Sequence, residues 1–469
     1  MFGPGELAEA TQGRLFNCED QKISGFSIDS RTLDEGEFFI PLPGSSTDGH
    51  YFLDEAFRKG AIGAFVSSED YLSDEFENLI LVEDTEKALL QAAAAYRKNF
   101  EIPIIGVTGS WGKTTSKELL ASILSRTGSV HRSPGNYNTE YGLPLALLEM
   151  PETTDYGVFE LGLQYPDDVG KLSKVLSPTH GLITGVGKAH LEHFRGVEEI
   201  AREKLKLTEG MEEGSVLIIN GDAGPLVEAA EKVGALCIKY GLRSSENAYS
   251  ATKLEASNLA GLSFSLKKLP GPGKGCNPTN LRLESGLHSR ANVYNVLAAA
   301  SLALEMGVSA EAVKQGVKIS PLPQRLETKP FPGGTVIDDT YNANPAATRN
   351  ALAFLSGLNV EGDKFFVMGD MMELGRESAT YHEDLAPYVR SAGVQRTLGL
   401  GKFTKQLVFE LNKGGSSAGA TAADWFREKS KLKNELASLI RDRGNAVLVK
   451  GSRDMKMEEI VQFLLEEYP

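Results

Sequence analysis

The chain has 469 residues, 41% of them hydrophobic and 24% charged, an ordinary composition for a folded protein with room for two to four domains. Its formal net charge of −14 argues against a broad nucleic-acid surface, so an anionic ligand has to be drawn in by local loops working against the overall field. No signal peptide is expected from "MFGPGELAEATQGRLF", which lacks both a basic start and an apolar core, and no apolar run approaches the ~18 residues of a membrane span. Cys18, Cys237 and Cys276 are odd in number and far apart; they fit neither a disulfide framework nor a zinc site, and they suit a reducing cytoplasm.

Residues 1–85 mix short β-like runs ("EFFIPLPG", "GAIGAFV", "NLILVED") with a helical stretch near "FLDEAFRKGA". "TEKALLQAAAAYRKNF" then reads as a helix with a basic end. A β–α series follows: "IPIIGVTG", the helix "KTTSKELLASILSRTG", "YGVFELGL" and "HGLITGVG", the alternation a parallel sheet requires. "GPGKGCNPTN" is a loop, and "ANVYNVLAAASLALEMG" a strong helix. "SPLPQRLETKPFPGG", with four prolines and two glycines, is the best domain junction. Beyond it a second series ("TVIDDTYN", "KFFVMGD", "RTLGLGK", "NAVLVKGS") gives four strands interleaved with helices, a Rossmann-like pattern. The expectation is an α/β protein of three domains, 1–85, 86–325 and 326–469.

The chemistry begins at Thr108-Gly109-Ser110-Trp111-Gly112-Lys113-Thr114-Thr115, which joins a buried-strand run to a helix with Leu119, Leu120, Ile123 and Leu124 on one face. Glycines let backbone N–H groups turn inward, and a helix N-terminus adds partial positive charge, so the turn suits a phosphate. Lys113 can reach β/γ-phosphates and the Thr114 hydroxyl can bind Mg²⁺, although the strict P-loop pattern wants glycine where Val107 stands. Glu160 follows the apolar run of "YGVFELGL", near the end of a strand where α/β sites form. Alone it could be a solvated strand end; beside the loop it is a metal-ligand candidate, because a hard cation wants carboxylate and hydroxyl oxygens. The loop after "HGLITGVG" carries His190, Glu192 and His193, with no cysteine to favour zinc. Lys204, on a helical stretch, is not distinguishable from a solvated face by its pattern.

"GVTGSWGKTT", "GNYNTEYGLPLALL", "FELG", "GKAHLEHF", "NVYNVLAAA", "QRLE", "DDTYNANPAA" and "VMGDMMELG" occur in the order seen in the Mur ligases, and the chain resembles that family from about residue 27 to 460. "DDTYNANP", "GDMMELG" and "KGSR" look most like the branch that joins D-alanyl-D-alanine to UDP-N-acetylmuramoyl-tripeptide. "SIDSRTLDEGEFFIPLPG" is similar to a uridine-nucleotide domain. The resemblance implies a small N-terminal UDP-substrate domain, a central P-loop ATPase domain with a mainly parallel sheet, and a C-terminal Rossmann-like domain that closes over the site. It implies a cytoplasmic, monomeric ATP-dependent amide ligase that works through an acyl phosphate in peptidoglycan precursor synthesis.

By position, the resemblance implies that Lys113 holds phosphates, that Thr114 and Glu160 bind one Mg²⁺, and that His190 helps hold a second. Lys204 matches a lysine carbamylated in the family, a change that turns a cation into an anionic oxygen ligand. Asn138 faces the phosphates and metal; Asn292 and Asn295 lie near the adenine; Arg325 and Asp339 hold the nucleotide. Asn344, Lys450 and Arg453 fall near the dipeptide, and Ser30 and Arg31 at the UDP end. Plainer readings remain: Asn292 and Asn295 as polar helix positions, Asp339 as a turn cap, Lys450 and Arg453 as solubility charges. The chain departs from the family where Trp111 replaces an asparagine, Ala291 a histidine, and Gly185 and Lys188 an asparagine and an acid. An indole at 111 has to lie outward for the phosphate cradle to stay open. A MurE-like ligase, a folylpolyglutamate synthase and a nucleotide-binding protein without turnover are the competing readings.

Overall fold

The computed structural model describes residues 2–44, 47–187, 192–257, 261–269, 280–413, 421–440 and 444–468. Its strands form three separate sheets. In the first, Arg14–Phe16 pairs antiparallel with Leu79–Leu81, followed in parallel by Gly63–Val66, Glu37–Phe39 and Gly25–Ser27.

The second sheet has nine strands, seven of them parallel. Ile104–Thr108, buried at every residue, lies between Tyr156–Glu160 on one side and His180–Ile183 on the other. Later strands, Val216–Asn220 and Ile238–Gly241, extend beyond His180–Ile183, whereas Val130–Arg132 lies beyond Tyr156–Glu160. The order therefore reverses at Ile104–Thr108. Such a switch point opens a crevice at the carboxyl ends of the strands, where α/β proteins bind ligands. An antiparallel hairpin, Gly261–Lys268 and Asn280–Ser285, finishes the far edge; of the loop expected at 271–280, residues 271–279 lie outside the described residues and Asn280 belongs to the last strand. Helices Lys113–Leu124 and Ala291–Glu305 cover one face, with Leu119, Leu120 and Ile123 in one core with Val296, Leu297 and Ala300.

The third sheet has six strands, two more than the sequence suggested. One addition, Ala422–Phe426, is an edge strand. The other, Glu327–Phe331, lies in the proline-rich junction and pairs antiparallel with Gly334–Asp339. Pro330 is tolerated because this too is an edge, where no ladder needs its missing N–H. Helix Pro345–Gly357 starts with Pro345 in its first turn and Asn344 as cap, the Asn344 side chain accepting from Ala347 N–H at 2.9 Å.

The first two sheets share one core. Helix Thr85–Arg97, capped by Asp84, buries Leu89, Ala92 and Tyr96 in a cluster running from Phe38 and Phe65 to Phe159 and Leu172. Tyr96 donates to Met150 O at 2.8 Å, and Arg97 donates to the carbonyls of Leu176, Ser177 and Phe100. The third sheet keeps clusters of its own, and it meets the rest at the linker, through contacts such as Arg325–Thr114, and where the His288 ring stacks on Phe354 at 5.4 Å. No helix among the described residues is long and apolar enough to cross a membrane.

Candidate functional site

The Lys113–Leu124 helix begins at Gly112, whose φ of +75° is a left-handed conformation that glycine adopts without strain. A Cβ there would come within 2.1 Å of Asn295 Oδ1, so the turn has to be glycine to close against the Ala291–Glu305 helix. The Lys113 ammonium folds back to Gly109 O at 3.0 Å. Burial holds its pKa below the ordinary lysine value, Glu160 opposing and Arg325 reinforcing the shift.

One hydroxyl joins three segments of chain. Thr114 Oγ1 donates to Glu160 Oε2 at 2.7 Å and accepts from Arg325 Nη2 at 2.9 Å. The other Glu160 oxygen accepts from Asn138 Nδ2 at 2.8 Å. Strand register explains Glu160: it pairs with Val107, at the carboxyl end of its strand beside the loop. Arg325 reaches across because the linker turns sharply, with Gln324 at φ +60° and Leu326 at φ +53° on either side of it. Left-handed backbone in non-glycine residues costs on the order of 1 kcal/mol or more, and persists where neighbours impose it. Here Tyr341 lies under the guanidinium at 3.8 Å, and Asp339 Oδ1 accepts from Leu326 N–H at 3.2 Å.

Asp339 is in turn gripped by Lys450, 2.5 Å from its Oδ2. Lys450 is 1% exposed and also donates to the carbonyls of Asp339 and Asn342 at 3.4 and 2.9 Å. Its three N–H donors are thereby all engaged, so in this arrangement it supports the 339–342 turn. Burial raises the Asp339 pKa, against the pull of Lys450.

Lys204, on helix Val197–Leu205, is 2% exposed, a burial its sequence pattern did not reveal. Burial first, then the charge of Lys113, push its pKa well below the ordinary lysine value, with Glu160 opposing. Lys113 and Arg325 thus bring positive charge up to Glu160 and Thr114 within an anionic chain, with Lys204 buried beside them. This is how the loops attract a phosphate against the overall field.

Most of these residues line a cavity of about 1120 Å³, although Lys204 is not among its lining residues. Ser110, Trp111, Gly112, Lys113, Thr114, Thr115, Asn138, Glu160, Asn292, Asn295, Arg325, Asp339, Asn344, Lys450 and Arg453 all line it. Thr108 is fully buried beneath, its hydroxyl donating to Leu161 O, and Gly109 lies under Thr184. Ser30 and Arg31 are not among the lining residues; Ser30 donates to Glu55 at 3.1 Å, and Arg31 makes a two-pronged pair with Asp29. His190 lies outside the described residues, as does Lys188, whereas the ring of His193 sits 4.6 Å from Tyr165. Asn292 and Asn295 are bonded to each other at 2.8 Å.

The carboxylate of Glu160, the hydroxyl of Thr114 and the amide of Asn138 form the oxygen-rich donor set that a hard divalent cation prefers. Trp111 is turned aside from the cradle. A Cβ on Gly185 would come within 2.8 Å of its Cε2, and one on Gly187 within 2.2 Å of its Cζ3, so the indole occupies room that these glycines leave. The indole at 111 and the missing side chains at 185 and 187 therefore fit one another sterically.

Sequence reasoning missed Lys117 and Ser133. Lys117 is 0% exposed and donates to Ser133 O at 2.5 Å, and Ser133 Oγ accepts from Glu160 N–H at 3.1 Å. No local signal marks Lys117, because a lysine in an amphipathic helix reads as surface. His382 is structural: its Nε2 accepts from Met371 N–H at 2.9 Å, while Nδ1 faces Ser378 O at 2.6 Å.

Family models match along the chain: "Mur ligase family, catalytic domain" over 22–100, "Mur ligase middle domain" over 107–303 and "Mur ligase, glutamate ligase domain" over 324–453. A Bacillus subtilis protein named UDP-N-acetylmuramoyl-tripeptide–D-alanyl-D-alanine ligase is 32% identical, covering 98% of this chain and 97% of its own. A crystal structure of MurF from Acinetobacter baumannii superposes with a TM-score of 0.87 at 30% identity, covering 99% of both chains. A MurF ligase from Thermotoga maritima, in complex with ADP, gives 0.79 at 26% identity, covering 94% of this chain and 97% of that one.

Proposed function

Because the chain belongs to the Mur ligase family, we propose that it joins D-alanyl-D-alanine to UDP-N-acetylmuramoyl-tripeptide with the consumption of ATP, in peptidoglycan precursor synthesis. The observation that carries this reading is the chain of contacts Arg325–Thr114–Glu160–Asn138, which brings three distant segments together on one cavity.

The chemistry follows from the substrates. A carboxylate is a poor electrophile near neutral pH. Transfer of the ATP γ-phosphoryl group to the terminal carboxylate of the tripeptide, with release of ADP, gives an acyl phosphate. The amino group of D-alanyl-D-alanine attacks its carbonyl carbon, phosphate leaves with the C–O bond electrons, and the amine sheds a proton. The protein's task is positioning and charge neutralisation, together with exclusion of water from a hydrolysable intermediate. Lys113 and the amides of 109–115 hold the phosphates. Thr114, Glu160 and Asn138 would hold Mg²⁺, which neutralises phosphate charge when bound. His190 is assigned to a second Mg²⁺, and Lys204 is assigned to the metal as its carbamate, a role its burial beside Lys113 and Glu160 supports. Asn292, Asn295, Arg325 and Asp339 are assigned to the nucleotide side, Arg325 from the linker and Asp339 by fixing the linker's corner. Asn344 and Arg453 are assigned to the dipeptide, with Lys450 beneath them, and Ser30 and Arg31 to the UDP end. Domains 1–85, 86–325 and 326–469, a monomer and a cytoplasmic setting complete the proposal.

The test is ADP release with each substrate omitted in turn. Release that needs both the UDP-linked tripeptide and D-alanyl-D-alanine is the expected result; nucleotide binding without turnover for any pair overturns the reading.

A further inference from the structure

We propose that Trp111 is a stacking platform for the purine base, so that the nucleotide is held by the face of its base more than by its edge. The proposal rests on the ATP-dependent reading above and adds to it how the base is recognised.

The indole has one side committed. Gly185 would meet it at Cε2, Cζ2 and Nε1, and Gly187 at Cζ3, Cη2 and Cε3, so the benzo ring lies across the 185–187 backbone. That backbone is itself tied to the phosphate loop: Ser110 N–H donates to Gly185 O at 2.8 Å, Gly187 N–H donates to Ser110 Oγ at 3.1 Å, and Thr184 Oγ1 donates to Trp111 O at 2.5 Å. The ring is therefore backed by the hydrogen-bonded 184–187 backbone. It is only partly buried and lines the cavity, as do Ala291, Asn292 and Asn295, and the adjoining Gly112 packs against Asn295. An aromatic face so supported, beside the phosphate cradle, is suited to an unpaired base.

The nearby amides are partly engaged with protein partners, which limits what they offer the base edge. Asn292 Nδ2 donates to His288 O at 2.5 Å, and Asn292 Oδ1 accepts from Asn295 Nδ2 at 2.8 Å. Ala291 offers no hydrogen bond from its side chain. Stacking tolerates any purine, because every base has a π-face. Weak discrimination between adenine and guanine nucleotides follows.

Trp111 and Trp425 are the two tryptophans of the chain, so Trp425→Phe leaves Trp111 as the sole indole reporter. In that background, with Mg²⁺, ADP and GDP should quench the emission and inorganic tripolyphosphate should not. In the full chain, Trp111→Ala should weaken ADP about tenfold, as loss of one stacked base implies, and leave tripolyphosphate unchanged. Trp111→Phe should restore most of the ADP affinity, and GDP should bind within about tenfold of ADP. Equal weakening of ADP and tripolyphosphate by Trp111→Ala would mean that the ring only shapes the loop, and would overturn the proposal. So would unchanged ADP affinity, or a preference for ADP over GDP beyond about a hundredfold. Tripolyphosphate binding with no nucleotide binding in the unsubstituted chain would overturn the ATP-dependent reading as well.

Discussion

Thr114 Oγ1 donates to Glu160 across 2.7 Å and receives Arg325 across 2.9 Å. A hydroxyl has one proton and two lone pairs, so one lone pair remains for a cation. Thr114→Val keeps the shape and removes both bonds. ATP-dependent ADP release should fall about a hundredfold, with more Mg²⁺ needed for half-maximal rate. A Mg²⁺ titration checks this; an unchanged Mg²⁺ requirement removes Thr114 from the metal.

Lys113→Ala deletes the cation of the phosphate loop. Phosphoryl transfer should drop by about a thousandfold or more, while the UDP-linked substrate still binds, because Ser30 and Arg31 lie in the turn after strand Gly25–Ser27 of the first sheet, away from the Lys113–Leu124 helix on the second. Calorimetry with the UDP-linked substrate separates this from misfolding, which would abolish both.

Lys204→Ala should cut turnover severely, and high bicarbonate should not restore it, since alanine has no amine to carry the carbamate. Near-native turnover in the variant would rule that role out.

Lys117→Met tests support from beneath the site. The lysine holds Ser133 O, and Ser133 Oγ fixes the backbone of Glu160. Its loss leaves a buried carbonyl unpaired, at a cost of about 1–3 kcal/mol. The melting temperature should fall, and the Mg²⁺ requirement of ADP release should rise. A lower melting temperature with unaltered Mg²⁺ dependence would confine Lys117 to packing.

Acid should destabilise the fold well above the carboxylate range. Burial lowers the pKa of His131, His180, His288 and His382 below the ordinary histidine value near 6.5. As pH falls, the unfolded chain takes up these protons first. The stability from neutral, buried imidazoles is therefore complete above about pH 6.5 and is lost as pH drops through the lower folded values. Melting curves from pH 8 to 5.5 should show the midpoint falling only below that threshold. A flat profile, or one rising toward acid, would contradict the sign.

The sequence by itself determined the phosphate turn, the long helices around it and about half of the strands, because those depend on short-range signals. Ile104–Thr108 followed by glycines, Lys113 and an amphipathic helix declares itself within twenty residues. It did not reveal the edge strand containing Pro330, since proline argues against a strand until the strand is known to lie at an edge. Only the tertiary structure decided how the site is joined. Arg325 meets Thr114 from 211 positions away, and Glu160 reaches the loop through strand order and register. Tertiary packing also buried Lys117 and Lys204 and laid Trp111 on Gly185 and Gly187. Side-chain periodicity reports which face of an element turns inward, and it is blind to which distant element that face will meet.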